Sequence, residues 1–297
     1  MQHSFGMNFL LPLMLLLTFC KQDNEDNRNL SNYHDTEQKS NTPSIPQSLI
    51  HTDGKTIESR FNPLTNCERI SVESNSFGQF LRELPLKPHG SEVEYFNGNI
   101  KRNSKIYVGV VDLPIGKRDL HQCADAIMRL RADYLRAEKR FEEMKFSFNN
   151  GFVAEYSKWK EGYRISFSGE SFSWKKKTDP SDSDESYWKY LEYVFSFAGT
   201  WSLEKELNAV SNDDMEIGDI FIYGGAPGHA VIVVDMIKDK TNGKKYFMLA
   251  QSYMPAQEIQ VLVNPNDDVI SPWYSLEMGD ELKTPEWVFG GDALKRF

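Results

Sequence analysis

The chain has 297 residues, and its 34 Lys and Arg against 43 Asp and Glu leave a formal charge of −9. A hydrophobic share of 40% with 26% charged residues is that of an ordinary globular protein with enough chain to bury a core. The acidic balance lacks the basic field that phosphate backbones require, so no nucleic-acid partner is expected. Three cysteines, at positions 20, 67 and 123, make neither a disulfide framework nor a zinc spacing, so no metal and no other cofactor is called for.

The apolar run Phe9-Leu10-Leu11-Pro12-Leu13-Met14-Leu15-Leu16-Leu17 is too short for a membrane-spanning helix, which needs roughly 20 residues. It reads as a signal-peptide core, so residues 1–20 form an export signal. Residues 21–58 are rich in Asn, Asp, Glu, Ser and Gln and poor in apolar side chains. Such a segment cannot offset the entropy of ordering itself and reads as a disordered polar tether. The string Leu17-Thr18-Phe19-Cys20, followed at once by that tether, resembles the lipobox of bacterial lipoproteins. The resemblance implies lipidation at Cys20, attachment to a membrane through that lipid, and a place in the bacterial cell envelope. A plain secretory signal or an anchor is the alternative.

Residues 59–297 contain no second linker and no internal repeat, and read as a single α+β domain. A short helix is predicted over 75–82, ahead of Pro85, and a buried strand over 106–112. Asp119 with Gln122 three residues later makes a capping pattern. It introduces a helix whose apolar stripe runs through Leu120, Cys123, Ala124, Ile127, Leu130, Tyr134 and Phe141. A second helix is predicted over 187–210, after the acidic loop 179–185. That loop lacks the Gly and closing Glu of a calcium-binding loop and reads as a solvated lead-in to a helix cap. Lys175-Lys176-Lys177 reads as a solvated loop, and His89 and His121 as surface residues. Strands are then expected over 219–223, 229–235 and 246–253, joined by the Gly224-Gly225-Ala226-Pro227-Gly228 loop and an Asn242-Gly243 turn. The aromatic segments 271–274 and 284–287 are expected to pack over this meander.

Cysteine catalysis needs a thiol whose anion is stabilised, an imidazole to take its proton, and a polar group to orient the imidazole. Cys123 falls in the first turn of its helix, where unpaired N–H groups and the dipole favour an anion. His229 opens a strand directly after a glycine loop that permits close backbone approach. Gln251, on the next strand, is the candidate to orient His229. A two-residue turn at Asn242-Gly243 sets it opposite Val233, on the face of His229 but about 13 Å along the sheet, unless a bulge or longer turn shifts the register. Gln122, beside Cys123, is the candidate oxyanion donor. Asp235 lies too far along the strand from His229. A buried structural thiol and a Cys67–Cys123 disulfide are the competing readings of the cysteines.

The string Met215-Glu216-Ile217-Gly218-Asp219-Ile220-Phe221-Ile222-Tyr223, followed by Gly228-His229-Ala230-Val231-Ile232-Val233, resembles the signature of the papain-like superfamily, especially its NlpC/P60 and CHAP branches. The resemblance implies a papain-like arrangement: an N-terminal helix carrying Cys123, packed on an antiparallel β-meander carrying His229. It also implies cleavage or transfer at an amide bond, with peptidoglycan or another peptide as substrate, and puts Gln251 where Asn orients the imidazole in related enzymes. The strings Gly116-Lys117-Arg118-Asp119-Leu120-His121-Gln122-Cys123-Ala124-Asp125 and Ala250-Gln251-Ser252-Tyr253-Met254-Pro255-Ala256-Gln257 are similar to those of a bacterial envelope family known only as domain of unknown function 4846. That second resemblance implies an envelope lipoprotein and no established activity. The expected function is an envelope-anchored papain-like cysteine hydrolase or transferase. The alternative is a non-enzymatic envelope lipoprotein that binds a ligand or partner with the same fold.

Overall fold

The computed structural model describes residues 49–169, 171–277 and 279–297. The expected signal segment with Cys20, and the tether as far as residue 48, lie outside the described residues. Folded structure starts ahead of the expected boundary at 59, because Leu49 is buried and Ile50 bridges to Phe61. A few apolar side chains anchor this stretch although its average composition is polar.

The first elements are α1 (Ile57–Arg60), capped by the Thr56 hydroxyl, then β1 (Cys67–Arg69) and α2 (Phe77–Arg82). Helix α2 starts two residues later than predicted. Asn75 sits at φ 59° and Ser76 is the cap, its hydroxyl accepting the Gln79 N–H at 3.2 Å. Strand β2 (Tyr107–Val110) follows, and then α3 (Cys123–Ala137). The cap of α3 is displaced from the predicted one. Gln122 is the cap residue, and the Asp125 carboxylate accepts its N–H at 3.0 Å. Asp119 instead accepts from Gln122 Nε2 at 3.0 Å and from the Ala256 N–H at 2.7 Å. The three-residue spacing of polar groups occurs twice in a row here, and packing chooses the second.

Two hairpins, β3 (Lys145–Ser147) with β4 (Val153–Glu155) and β5 (Tyr163–Ser168) with β6 (Ser171–Lys176), flank α4 (Tyr156–Lys160). Lys175 and Lys176 thus end a strand, although both are exposed as a solvated loop would be. The single helix expected over 187–210 is two helices, α5 (Asp184–Phe197), capped by Ser183, and α6 (Thr200–Glu206). Ala198 and Gly199 between them are extended, and the Gly199 N–H turns to Ser202 Oγ at 3.1 Å.

The remaining strands are β7 (Asn208–Ala209), β8 (Ile220–Tyr223), β9 (His229–Asp239), β10 (Lys245–Gln251), β11 (Gln260–Leu262), β12 (Tyr274–Ser275), β13 (Glu281–Lys283), β14 (Val288–Gly290) and β15 (Leu294–Arg296). Nine strands form one antiparallel sheet in the order β2-β11-β10-β9-β8-β15-β7, with β1 joining the far end of β9 and β12 joining β10. Strand β9 is its centre and is buried continuously from His229 to Ile237. Alternate residues face two apolar layers: Ala230, Ile232 and Val234 meet the α3 side, while Val231, Val233 and Met236 meet Phe221, Phe247 and Phe289 on the other. Burial on both faces explains why β9 reads as an unbroken apolar run and why periodicity alone left its faces undetermined. Trp273 is fully buried, as expected of its segment, with its indole N–H on the Asn62 carbonyl at 2.9 Å.

What stands of the fold expectation is a mixed α+β fold with a large antiparallel meander. The papain-like form of it is corrected. Among the described residues the sheet is open, with β2 and β7 at its unjoined edges, and no closed barrel forms. Among the described residues the helix bearing Cys123 is the third α-helix and not the first, and the other described cysteine, Cys67, lies in a strand. The resemblance rested on a strand, a glycine loop and a strand opened by His. That is a local hairpin any meander can contain, and it does not specify how the whole sheet closes.

Candidate functional site

Cys123 is the first residue of α3 and is buried. Three backbone N–H groups face its sulfur, its own and those of Ala124 and Ala230. The first two are helix-start donors without intrahelical acceptors. The third comes from the residue that follows His229, so the helix start and the strand start meet at the thiol. Burial outweighs these donors, and the nearby Asp125 carboxylate adds to it, so the thiol is pushed up to about 11. Asp125 is itself buried, and desolvation holds its carboxyl well above the usual range. Cys67 and Cys123 are both free thiols, so the disulfide reading does not hold.

His229 is 1% exposed. Its ring lies under Tyr253, with centroids 4.7 Å apart, and beside Trp287 and Phe289. Cys123 is near enough to Tyr253 to raise that phenol's pKa. Desolvation pushes His229 down to about 4, only partly opposed by its hydrogen bond to Gln251. At neutral pH the pair is therefore a neutral thiol and a neutral imidazole. Among the described residues His229 Nδ1 has no hydrogen-bond partner. No hydrogen bond joins it to the thiol.

Gln251 reaches His229, with Oε1 2.8 Å from Nε2. The register explains how. The hairpin pairs Lys245 with Lys238, one residue off the two-residue-turn register, and then Met248 pairs with Asp235 but Leu249 with Val233, so an extra residue on β9 adds a second step that moves the end of β10 toward His229. Turn geometry at Asn242-Gly243 cannot reveal a bulge in the middle of the strands. The amide of Gln251 is oriented by its other end, because Nε2 donates to Glu286 Oε2 at 2.6 Å. A carboxylate only accepts, so Oε1 must be the atom turned to His229. The imidazole proton then sits on Nε2, and Nδ1 carries the free lone pair. Lys101 Nζ holds the same Glu286 oxygen at 2.8 Å and Gln257 Oε1 at 2.9 Å. Neither Lys101 nor Glu286 was recognised from sequence. Glu286 lies in the 284–287 loop, expected only to pack, and no local pattern marks either residue.

A cleft of about 360 Å³ opens beside Cys123, lined by Gln122, Asn149, Thr200, Trp201, Gly228 and Met254 among others. Gly228 is required there, because a Cβ would lie 2.3 Å from Thr200 Oγ1. Gln122 spends one Nε2 hydrogen on Asp119, and the amide carries a second. A larger cleft, about 1180 Å³, lies elsewhere, between the start of α2 and the C-terminal strand. Its Arg296 is already paired with Asp219 at 2.6 Å and with Glu216 at 3.2 Å.

His121, expected at the surface, is 1% exposed. Its ring meets Phe195 edge-on, Nδ1 is 3.4 Å from the Gln257 carbonyl, and burial pushes it down to about 3. Its Nε2 is also unpaired, so an open ring nitrogen alone does not make a site. His229 differs in having a fixed proton on one nitrogen and, through Ala230, a thiol at its own strand start. Among the described residues no group of three or more His, Cys, Asp or Glu could hold a metal ion, and no helix is long and apolar enough to cross a membrane.

The family model for domain of unknown function 4846 matches residues 57–296. The chain belongs to the DUF4846 family. No curated protein and no solved structure matches it. None of these comparisons ties the chain to the NlpC/P60 or CHAP hydrolases, so that part of the sequence reading is corrected along with the papain-like fold. The shared string of apolar strand, loop and His is met by the β8–β9 hairpin of this DUF4846 domain without any wider correspondence.

Proposed function

We propose that this DUF4846 domain performs thiol-dependent acyl transfer at an amide carbonyl, as a hydrolase or a transferase, on a peptide-like substrate such as cell-wall peptide. The observation that carries the reading is the buried His229 ring, protonated at Nε2 by its bond to Gln251 and bare at Nδ1, on the strand whose next N–H faces Cys123 Sγ. In this reading Cys123 Sγ attacks the carbonyl carbon while its proton passes to His229 Nδ1. The resulting imidazolium then protonates the leaving amine, the C–N bond breaks, and a thioester remains. Water, or an acceptor amine in a transferase, attacks the thioester with His229 again taking the proton, and the thiol is restored. First-turn N–H groups of α3 and the free Nε2 hydrogen of Gln122 are the candidate oxyanion donors. The neutral resting pair means that charge separation is left to the step in which substrate enters the cleft. On this proposal the chain is exported, lipidated at Cys20 and held at an envelope membrane by that lipid.

Iodoacetamide labelling of a Cys67→Ala chain tests the site. Native Cys123 is expected to label, and His229→Ala to slow labelling at least tenfold with the fold retained by circular dichroism. A thiol inert until denaturation, or labelling indifferent to His229, overturns the reading. Membrane fractionation of Cys20→Ala tests the anchor, with release to the soluble fraction expected. The second reading, a ligand-binding lipoprotein with a structural thiol, is favoured by the thiol's shift to about 11 and predicts the inert outcome.

A further inference from the structure

We infer that Glu286, held by Lys101, is a positioning residue that sets the proton on His229 and so decides which ring nitrogen can serve as base. The inference rests on the reading of Cys123 and His229 as a working pair. Its physical content lies in a chain of four side chains drawn from distant parts of the sequence: Lys101 Nζ to Glu286 Oε2 at 2.8 Å, Gln251 Nε2 to Glu286 Oε2 at 2.6 Å, and Gln251 Oε1 to His229 Nε2 at 2.8 Å.

An ammonium can only donate and a carboxylate can only accept, so the charged end of the chain, Lys101 with Glu286, carries a fixed polarity. The amide and the imidazole beyond it could each adopt either orientation alone, and the charged end removes that freedom. Gln251 must present its NH₂ to Glu286, hence its oxygen to His229, hence His229 must be protonated at Nε2. Take Glu286 away and the Gln251 amide can turn over. Its NH₂ then faces His229, the ring moves its proton to Nδ1, and Nδ1 becomes a donor that cannot accept a proton. Lys101 is anchored from behind as well. It donates to Gln257 Oε1 at 2.9 Å, and Gln257 is itself oriented because its Nε2 donates to the Pro255 carbonyl at 3.1 Å. Lys101 is 4% exposed, so an ion buried this deeply needs Glu286 as much as Glu286 needs it. The arrangement is a second layer that fixes a tautomer, as carboxylates do for metal-bound histidines, but here through an intervening amide.

The test is nitrogen-15 NMR of the imidazole of His229 in the full chain, assigned by comparison with His229→Gln and run alongside the labelling assay. In the unsubstituted protein near pH 8 the expected pattern is the Nε2-protonated tautomer. Glu286→Leu is expected to move a large fraction of His229 to the Nδ1-protonated form and to slow Cys123 labelling at least tenfold. Glu286→Gln keeps the Nε2-protonated form, because its carbonyl can still accept from Gln251. Should Glu286→Leu fail to fold around the unpaired ammonium, the double variant Lys101→Met with Glu286→Leu removes both charges while leaving the Gln251 amide unanchored, and the same tautomer shift is expected. An unchanged tautomer in Glu286→Leu, or in the double variant where the single one does not fold, overturns the inference. If the tautomer shifts while Cys123 is inert in every variant, the positioning role stands and the acyl-transfer reading falls.

Discussion

Strand β9 carries a buried polar centre at each end, and the two differ in one respect. Toward its far end Asp235, fully buried, accepts from Arg82 Nε at 2.6 Å, Arg69 Nε at 2.9 Å and the Met236 N–H at 2.8 Å. Arg82 in turn donates to the Met236 carbonyl at 3.1 Å. Neither carboxylate oxygen there is left without a partner, and the two arginines tie β1 and α2 to the sheet. At the near end His229 is buried as deeply, yet one ring nitrogen is pinned and the other is left without a partner. Saturated polarity in a core makes structure. Polarity left open is what the proposed acyl transfer would use as its base.

That contrast can be broken from the structural end first. Arg82→Ala leaves Asp235 with one arginine in a dry interior and is expected to lower stability by about 3–5 kcal/mol. Urea unfolding measures it, and a loss below 1 kcal/mol would show that the Asp235 centre is not saturated as described. A smaller effect comes from His229 and pH. Its folded pKa of about 4 lies below the unfolded value of 6.5, so the native state refuses a proton that the unfolded chain binds. Stability is full above pH 6.5 and falls as pH drops toward 4, by about 3 kcal/mol from this residue. Urea unfolding at pH 7 and pH 4 should show His229→Gln losing that much less than the unsubstituted chain.

The thiol gives the opposite sign. Its folded pKa of about 11 lies above the unfolded 9.0, so its contribution is full below pH 9 and is lost as pH rises toward 11. Unfolding at pH 8 and pH 10.5, compared with Cys123→Ala, should isolate a loss of about 2 kcal/mol. The mildest test is Asp125→Asn, which removes a negative neighbour while an amide oxygen remains to accept the Gln122 N–H. Labelling of Cys123 should become a few-fold faster at alkaline pH, and unchanged labelling would show that Asp125 is neutral when the thiol ionises.

Much of the local structure was legible in the chain. The helix of Cys123, the strand opened by His229 and the meander after it all carry their own periodicity, caps and turn residues, and these depend on neighbours within a few positions. The register between β9 and β10 was not legible, because a bulge on β9, opposite the step from Met248 to Leu249, responds to packing on both faces of the sheet and leaves no local mark. His121 was misread for a related reason. A histidine before a helix cap belongs on the surface unless another element covers it, and Phe195 of α5 does.

From sequence alone follow the α+β composition, the pairing of a helix-start cysteine with a strand-start histidine as candidates, the choice of Gln251, and the expectation of an export signal. Only the tertiary structure decided that the sheet is open, that Gln251 reaches His229, and that Lys101 and Glu286 stand behind it. The physical reason is range. Capping, turns and hydrophobic period act over single turns of helix or single strands, whereas the orientation of a buried amide is set by a carboxylate thirty-five positions away in the chain and 2.6 Å away in space.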